Sequence, residues 1–198
     1  MLPSESAFRS SRKLVVSEMK HRIKNSLATI QAVATQTVTS AKERDAFIAR
    51  LHALDRAHDM LTSETWERTP LSAPVNRALE PFQEQVGTRI KADAALDLWL
   101  DATKAVMVTM MIHEVGTNAV KYGALSNGTG RVDVTWERHS KPDLVKLVWQ
   151  ESGGPPVSPP KGKGFGSHLI ERAFGGQLGR AQLVFSPPGL LCTIEIAL

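Results

Sequence analysis

The chain has 198 residues, 42% of them hydrophobic, which is the ordinary balance of a globular protein. This length predicts one domain of usual size, or one small domain joined to a helical element. The net charge of +4 comes from basic residues spread along the chain. A nucleic-acid role needs basic residues clustered with exposed aromatics, so no nucleic-acid partner is predicted. No apolar run approaches the ~20 residues that cross a bilayer, so no membrane segment is predicted either.

A single cysteine, Cys192, lies in an apolar run near the C-terminus. One cysteine cannot form an internal disulfide, so a reducing, cytoplasmic setting is the expected localisation. No His or Cys stands beside it in the sequence. Cys192 is therefore interpreted as a packed core thiol and not as a metal ligand.

The N-terminal third predicts two helices. The segment from about Leu14 to Ser63 contains neither Gly nor Pro, and its apolar residues recur in steps of three and four. The pattern relaxes at residues 39–41, which predicts an antiparallel hairpin. An isolated pair of helices leaves apolar surface uncovered, so we expect the hairpin to pack on the rest of the chain or on a second copy. The two predicted stripes are Met19, Ile23, Leu27, Ile30, Ala34 and Val38, and then Phe47, Leu51, Leu54, His58 and Leu61.

The remainder of the chain alternates between helical and extended patterns. Residues 66–74 (WERTPLSAP) contain two prolines and predict a linker, and Gly123 is expected to cap the long central helix. The predicted fold class is α+β: an N-terminal antiparallel two-helix hairpin (residues 1–66), then an α/β sandwich (residues 67–198) with a mixed sheet and helices on one face. The predicted helices are 75–86, 102–122 and 167–174, and the predicted extended segments are 89–100, 131–137, 144–149, 182–186 and 190–197.

His21 is the candidate nucleophile. At ~100° per residue it lies nearly opposite the apolar stripe of the first helix, beside Glu18, Lys24 and Asn25. A neutral, exposed imidazole is nucleophilic, and Lys24 one turn later can steady a phosphate. The position alone favours a surface histidine without a role.

The surrounding sequence carries a resemblance. EMKHRIKN (residues 18–25), followed by LATIQAVATQT, resembles the phosphoacceptor box of the HWE family of sensor histidine kinases. RLHALDRAHDML and the following Trp66 resemble the dimerisation and phosphotransfer hairpin of that family. The resemblance implies that His21 is the phosphoacceptor and that residues 1–66 form the phosphotransfer unit, with a homodimer as a possible partner arrangement.

Three polar residues share one face of the long central helix. Glu114, Asn118 and Lys121 stand at i, i+4 and i+7. An amide oxygen can fill one Mg²⁺ position, and a lysine one turn later can face phosphates, although a solvated polar face explains the same spacing. The stretch 113–126 (HEVGTNAVKYGALS) resembles the N-box of the GHKL (Bergerat-type) ATPase fold that histidine kinases share with gyrase. That resemblance implies Asn118 as the Mg²⁺ ligand, Glu114 as a catalytic carboxylate and Lys121 as a phosphate contact. Gly116 is expected to soften this helix, because Gly costs ~1 kcal/mol relative to Ala there.

A carboxylate precedes a Gly-Gly turn in WQESGG (residues 149–154). Such a carboxylate can accept a hydrogen bond from an adenine amino group in a half-buried pocket. Other members of the same ATPase fold carry Asp-x-Gly-x-Gly at this place. A His in the N-box and Trp-x-Glu before the glycines are the marks of the HWE family, and His113, Trp149 and Glu151 match them.

The glycine-rich loop GKGFGS (residues 162–167) can bring backbone N–H groups close to phosphate at the start of a helix. Alone it is weak evidence, but at this distance after Glu151 it resembles the second glycine box of the fold. No GxxxxGK[ST] sequence occurs, so a P-loop is excluded. The resemblance implies ATP and Mg²⁺ as cofactors. The nucleotide-binding residues that it implies are Asn118, Lys121, Tyr122, Glu151, Gly153, Gly162, Lys163, Gly164 and Gly166.

Together the motifs imply an ATP-dependent, autophosphorylating histidine kinase of a two-component pathway. The γ-phosphate would pass to His21 and then to an Asp of a response regulator receiver domain, with a sensor domain N-terminal or in trans. In many other histidine kinases an acidic residue directly follows the phosphoacceptor. Here Arg22 does, so that mark of the base is missing. Glu114 is the candidate carboxylate that polarises the imidazole, and the identity of the base stays open. One alternative is a phosphotransfer relay of the same architecture that does not use ATP. A serine kinase on the same ATPase fold is a second, but it would not need the hairpin.

Overall fold

A computed structural model of the chain describes residues 5–61, 68–94, 98–141, 143–159 and 179–198. The chain divides into two compact units, Met1–Trp66 and Glu67–Leu198. In the part of the chain so described, no helix combines the length and the apolar character needed to cross a membrane.

The first unit consists of two helices in contact with each other, α1 (Glu5–Thr37) and α2 (Ala41–Leu61). The predicted break at residues 39–41 is confirmed. The hydroxyl of Ser40 accepts a hydrogen bond from the N–H of Glu43 at 3.4 Å, which satisfies a donor at the start of α2. α1 begins earlier than the predicted Leu14, because no Gly or Pro interrupts the chain after Pro3. Two members of the predicted stripes stay in solvent, Ile30 at 43% exposure and Phe47 at 38%.

In its described residues, the second unit is built on a five-stranded mixed sheet of β2 (Ile90–Ala94), β4 (Arg131–Arg138), β5 (Leu144–Ser152), β6 (Gly179–Ser186) and β7 (Gly189–Ala197). The strands lie in the order β2-β4-β5-β7-β6. Strands β2 and β4 are parallel, and the other neighbours are antiparallel. Every second residue of β4 and β5 is buried, so these strands present one face to the core. Helices α3 (Ser72–Val86) and α4 (Ala102–Lys121) bury residues in the same core cluster, which confirms the predicted α+β sandwich.

The linker predicted at residues 66–74 is wrong over its described part. Thr69–Pro70 forms a short strand, β1, that pairs with β3 (Trp99–Leu100), and α3 begins two residues later with Pro74 in its first turn. Neither proline lies where a missing N–H is costly, because a short edge strand and a first helical turn both tolerate proline. Leu71 between them is fully buried, and its N–H donates to the carbonyl of Leu98 at 2.7 Å.

The C-terminal hairpin of β6 and β7 is confirmed, with Ser186 paired to Gly189 next to the turn. Cys192 on β7 is fully buried beside Trp149 of β5, as expected for a core thiol. The helix predicted at 167–174 lies outside the described residues.

Candidate functional site

His21 lies on α1 with its side chain exposed, as the helical pattern predicts. Its ring nitrogen Nδ1 is 3.2 Å from Nδ2 of Asn25, one helical turn later. The amide therefore occupies the Nδ1 side of the ring, and Nε2 is the nitrogen that does not face it. An exposed imidazole in this position can be approached by a phosphoryl donor.

Helix α4 carries the three polar residues of the N-box stretch. Glu114 is buried, Asn118 is half-buried and Lys121 is exposed, so the face runs from the core out to solvent. Asp101 anchors the start of the helix. Its carboxylate accepts the backbone N–H of Lys104 at 2.9 Å and pairs with the Lys104 ammonium at 2.9 Å. The carboxylate of Glu114, the amide of Asn118 and the ammonium of Lys121 thus follow one another along this helix.

His113 packs inside the second unit against the ring of Phe82 from α3, with 5.5 Å between ring centroids. The same ring covers Gly116. A Cβ placed at Gly116 would lie 2.5 Å from Cε2 of Phe82. The absence of a side chain at Gly116 therefore has a packing role, because it leaves room for the Phe82 ring that contacts His113.

The Trp-x-Glu motif forms a buried hydrogen-bond network at the end of β5. The indole N–H of Trp149 donates to Oε1 of Glu151 at 3.2 Å, and the backbone N–H of Ala124 donates to Oε2 at 2.8 Å. Trp149 is fully buried and Glu151 is 4% exposed. Burial raises the pKa of the Glu151 carboxyl above its usual value, and the hydrogen bonds from Ala124 and Trp149 oppose that rise.

Gly123 is required for space and not for its conformational freedom. The helix ends at Lys121 with Tyr122 as its C-cap residue, and Gly123 has φ −108°, an extended conformation open to any residue. Gly123 closes the helix as predicted, because its N–H donates to the carbonyls of Asn118 and Ala119, both at 3.1 Å, but it does so without the left-handed conformation that favours glycine at a helix end. A Cβ on Gly123 would collide with the Glu151 carboxylate, and one on Gly154 would collide with the backbone of Ala124. These glycines let the chain after α4 approach the end of β5.

A turn that sequence reasoning missed fixes the loop beside Gly153. Oδ1 of Asn127 accepts the N–H groups of Thr129 and Gly130 at 3.1 and 2.8 Å. The Asn127 amide and the Thr129 hydroxyl donate to the carbonyl of Gly153 at 3.3 and 3.1 Å. The guanidinium of Arg89 donates to the Asn127 carbonyl at 2.6 Å. The signal in the sequence is the Asn-Gly-Thr-Gly run at 127–130, a combination typical of a tight turn.

Comparison with known proteins agrees with these motifs. Residues 18–95 match the family described as HWE histidine kinase. The chain is 36% identical to the blue-light-activated histidine kinase of Brucella anthropi, over 93% of this chain and 39% of the relative. The protein of the same name from Brucella ovis is 34% identical over the same shares. Residues 18–95 of this chain thus match a domain of the HWE histidine kinase family.

Solved structures support the fold described for this chain. The histidine kinase domain from the Erythrobacter litoralis EL346 blue-light activated histidine kinase superposes with a TM-score of 0.65 at 19% identity, covering 98% of this chain and 95% of that one. Histidine kinase ThkA in complex with response regulator protein TrrA superposes with a TM-score of 0.53 at 16% identity, covering 98% and 65%. The chain spans 39% of the length of the curated relatives it matches.

The site residues predicted from the sequence fall into three groups: one in the first unit, a second in the second unit, and a third outside the described residues. His21 belongs to the first unit. In the second unit, the Ala124 hydrogen bond joins the N-box stretch directly to Glu151. Tyr122 is 61% exposed next to this junction, and Gly153 occupies the turn after β5 with φ 67°. Gly162, Lys163, Gly164 and Gly166 lie outside the described residues.

Proposed function

We propose that this chain is the phosphotransfer and catalytic region of an ATP-dependent, autophosphorylating histidine kinase in a two-component pathway. Residues 1–66 present His21, and residues 67–198 bind ATP. The observation that carries the proposal is the hydrogen bond from Ala124 to Glu151. It ties two motifs of an ATPase site, 27 positions apart in sequence, into one buried junction beside the helix that bears Asn118.

Glu151 is the proposed contact for the adenine amino group. Its two oxygens each accept one N–H group, and a carboxylate offers about four lone-pair positions, so acceptor capacity remains. The donors from Trp149 and Ala124 hold the carboxylate in one orientation. A fixed acceptor in a buried setting suits recognition of a neutral base.

Asn118 and Lys121 are the proposed contacts for the phosphates and their metal. A half-buried amide oxygen on a capped helix suits Mg²⁺, which prefers hard oxygen ligands and takes few of them from protein. Mg²⁺, when bound with ATP, neutralises phosphate charge. Lys121 extends from the same helix into solvent and can meet phosphate oxygens. The remaining proposed contacts are Tyr122, Gly153, Gly162, Lys163, Gly164 and Gly166.

The transfer itself requires position and charge neutralisation more than covalent participation by the protein. The lone pair of a neutral imidazole nitrogen of His21 attacks the γ-phosphorus. The bond from that phosphorus to the β,γ-bridging oxygen breaks, and ADP leaves with the electron pair. Glu114 is the proposed carboxylate that polarises the His21 imidazole for this attack.

A response regulator receiver domain is the proposed partner that takes the phosphoryl group from His21. The likeness to ThkA, which was solved with its response regulator, supports this partner. A sensor domain, in cis or in trans, a homodimer through the hairpin and a cytoplasmic location complete the proposal. The relatives are longer than this chain, which leaves room in them for a further domain.

Nucleotide binding separates the kinase from a relay that does not use ATP. ATP with Mg²⁺ at ~100 times its dissociation constant should stabilise the chain by ~2.7 kcal/mol, measured as a rise in melting temperature. The rise should shrink in Asn118→Ala and in wild type with a chelator. Asn76→Ala, the same substitution at an exposed site on α3, serves as the control and should keep the full rise. No rise in wild type would favour the relay, and an unchanged rise in Asn118→Ala would remove Asn118 from the site.

A further inference from the structure

The contact between Asn25 and His21 bears directly on how the ring can act as a nucleophile. Nδ2 of Asn25 lies 3.2 Å from Nδ1 of His21, and both side chains are exposed on α1. The two residues stand four positions apart, which places them on one helical face. A catalytic meaning for this contact rests on the proposed function of His21 as the phosphoacceptor.

The chemistry of an amide makes this contact a selector of the ring tautomer. When the NH₂ group faces Nδ1, that nitrogen must offer its lone pair, and the proton of the neutral ring then sits on Nε2. Nε2 in that state presents N–H to a phosphoryl donor and cannot attack. Rotation of the amide by 180° occupies the same volume and turns Oδ1 toward the ring. Nδ1 then carries the proton, and Nε2 exposes its lone pair.

The two basic residues close to His21 in the sequence cannot do the same. Arg22 directly follows the histidine, and Lys24 lies one turn later. Guanidinium and ammonium groups are donors without acceptor capacity, so neither can hold a proton on Nδ1. The Asn25 amide offers both a donor and an acceptor at hydrogen-bond distance from the ring.

We propose that Asn25 is the positioning residue of His21, and that its amide oxygen accepts the Nδ1–H during phosphoryl transfer. The Nε2 lone pair forms the bond to the γ-phosphorus, and the bond from that phosphorus to the bridging oxygen breaks with its electrons leaving on ADP. The proton stays on Nδ1, where the amide oxygen stabilises the positive charge that develops on the ring. That proton is afterwards released to water. Asn25 touches neither ATP nor the transferred group and acts through the orientation of the ring.

Variants at Asn25 test this role without threatening the fold. Asn25→Ala removes the contact, and Ala is the better helix former at an exposed position. Asn25→Asp retains an acceptor but cannot donate. Ser26→Ala is the matched control, because the adjacent hydroxyl bonds only to the backbone carbonyl of Arg22, at 2.9 Å. The assays are the kcat and the KM for ATP of autophosphorylation, and the ¹⁵N chemical shifts of the His21 ring in the whole chain.

We expect Asn25→Ala to lower kcat by about tenfold or more, as loss of one hydrogen bond to a charged group predicts, with the KM for ATP within about twofold of wild type. Asn25→Asp should restore kcat and move the ring shifts toward the Nδ1–H tautomer, and Ser26→Ala should behave as wild type. Unchanged kcat in Asn25→Ala, an effect confined to KM, or an Asn25→Asp variant as slow as Asn25→Ala would each overturn the proposal. If wild type takes no label at His21, the proposed function fails. The ring shifts then decide the Asn25 contact separately, because they do not depend on activity.

Discussion

The indole N–H of Trp149 should stabilise the second unit through its bond to Glu151. Trp149→Phe keeps an aromatic ring on the buried face of β5 but removes the only donor of that side chain. The same substitution at Trp136 on the neighbouring strand β4 is a matched control. Trp136 is 3% exposed, and its indole N–H has no hydrogen-bond partner among the residues that the structure describes.

The geometry of the bond sets the expected magnitude. A hydrogen bond to a charged group contributes about 1.5–3 kcal/mol, and the 3.2 Å distance lies at the long end of the N–H···O range, so we take about 1.5 kcal/mol. Loss of the second indole ring adds about 1–2 kcal/mol, a part of the cost of removing a whole aromatic side chain. Trp149→Phe should therefore lower the free energy of unfolding by about 3 kcal/mol. Trp136→Phe should lower it by the volume cost alone, less any relief from removing an unpaired buried donor.

Urea unfolding of the whole chain, followed by circular dichroism near pH 7, measures both losses. The expected result is a loss for Trp149→Phe that exceeds the loss for Trp136→Phe by about 1.5 kcal/mol or more. Equal losses, or a larger loss for Trp136→Phe, would show that the indole bond to Glu151 does not stabilise the fold.

Buried groups of the same unit give three further predictions. Gly116→Ala should destabilise the chain by about 1 kcal/mol in urea unfolding. The reason is that a Cβ 2.5 Å from Cε2 of Phe82 costs about 2 kcal/mol, while the gain in helix propensity returns about 1 kcal/mol. A stabilised variant would mean that the Phe82 ring moves aside at no cost. The pKa of Glu151 is raised in the fold, so the folded state binds this proton more tightly than the unfolded chain does. The contribution of this proton to the free energy of unfolding is therefore full below the pKa of the unfolded chain and is lost as the pH rises through the pKa of the folded state. The stability of wild type relative to Glu151→Gln should accordingly fall as the pH rises above the usual pKa of a glutamate, and a difference that rises with pH would contradict the raised pKa. Cys192 is fully buried and burial raises the pKa of its thiol to about 12, so a thiol reagent at mildly alkaline pH should label it only after denaturant is added; rapid labelling of the native chain would place the thiol in solvent.

The sequence predicted those elements in which one periodic pattern decides the structure. The period of three and four along α1 placed His21 on an exposed face, and the period of two at residues 131–137 predicted the strand β4. These elements are long enough for the apolar pattern to outweigh local irregularities.

Errors arose where a tertiary neighbour determines the role of a residue. The segment around Pro70 and Pro74 is predicted as a linker. Leu71 between them is instead buried in the core, and the two prolines lie in the strand β1 and the helix α3. The position of Gly123 at the end of α4 is predicted from the sequence, but the reason that only glycine fits there is not: the group that excludes a side chain is the carboxylate of Glu151, which belongs to a different element, β5. No local pattern encodes a neighbour that distant.

The candidate site shows the same division between local spacing, which the sequence reveals, and tertiary contacts, which it does not. The helical spacing of Glu114, Asn118 and Lys121 is readable from the sequence, because three positions on one helix need no knowledge of the rest of the fold. The bond from Ala124 to Glu151 is not readable, since it depends on how α4 meets the end of β5. The predicted ATP contacts of these residues remain predictions.

Transfer of label from ATP to His21 tests the central claim most directly. Wild type, His21→Ala and His52→Ala are incubated with Mg²⁺ and ATP radiolabelled in the γ-phosphate; His52 is an exposed histidine of α2 and controls for the substitution itself. The account predicts an acid-labile, alkali-stable label on wild type and His52→Ala, and none on His21→Ala. Equal labelling of His21→Ala would contradict it, because another residue would then be the acceptor.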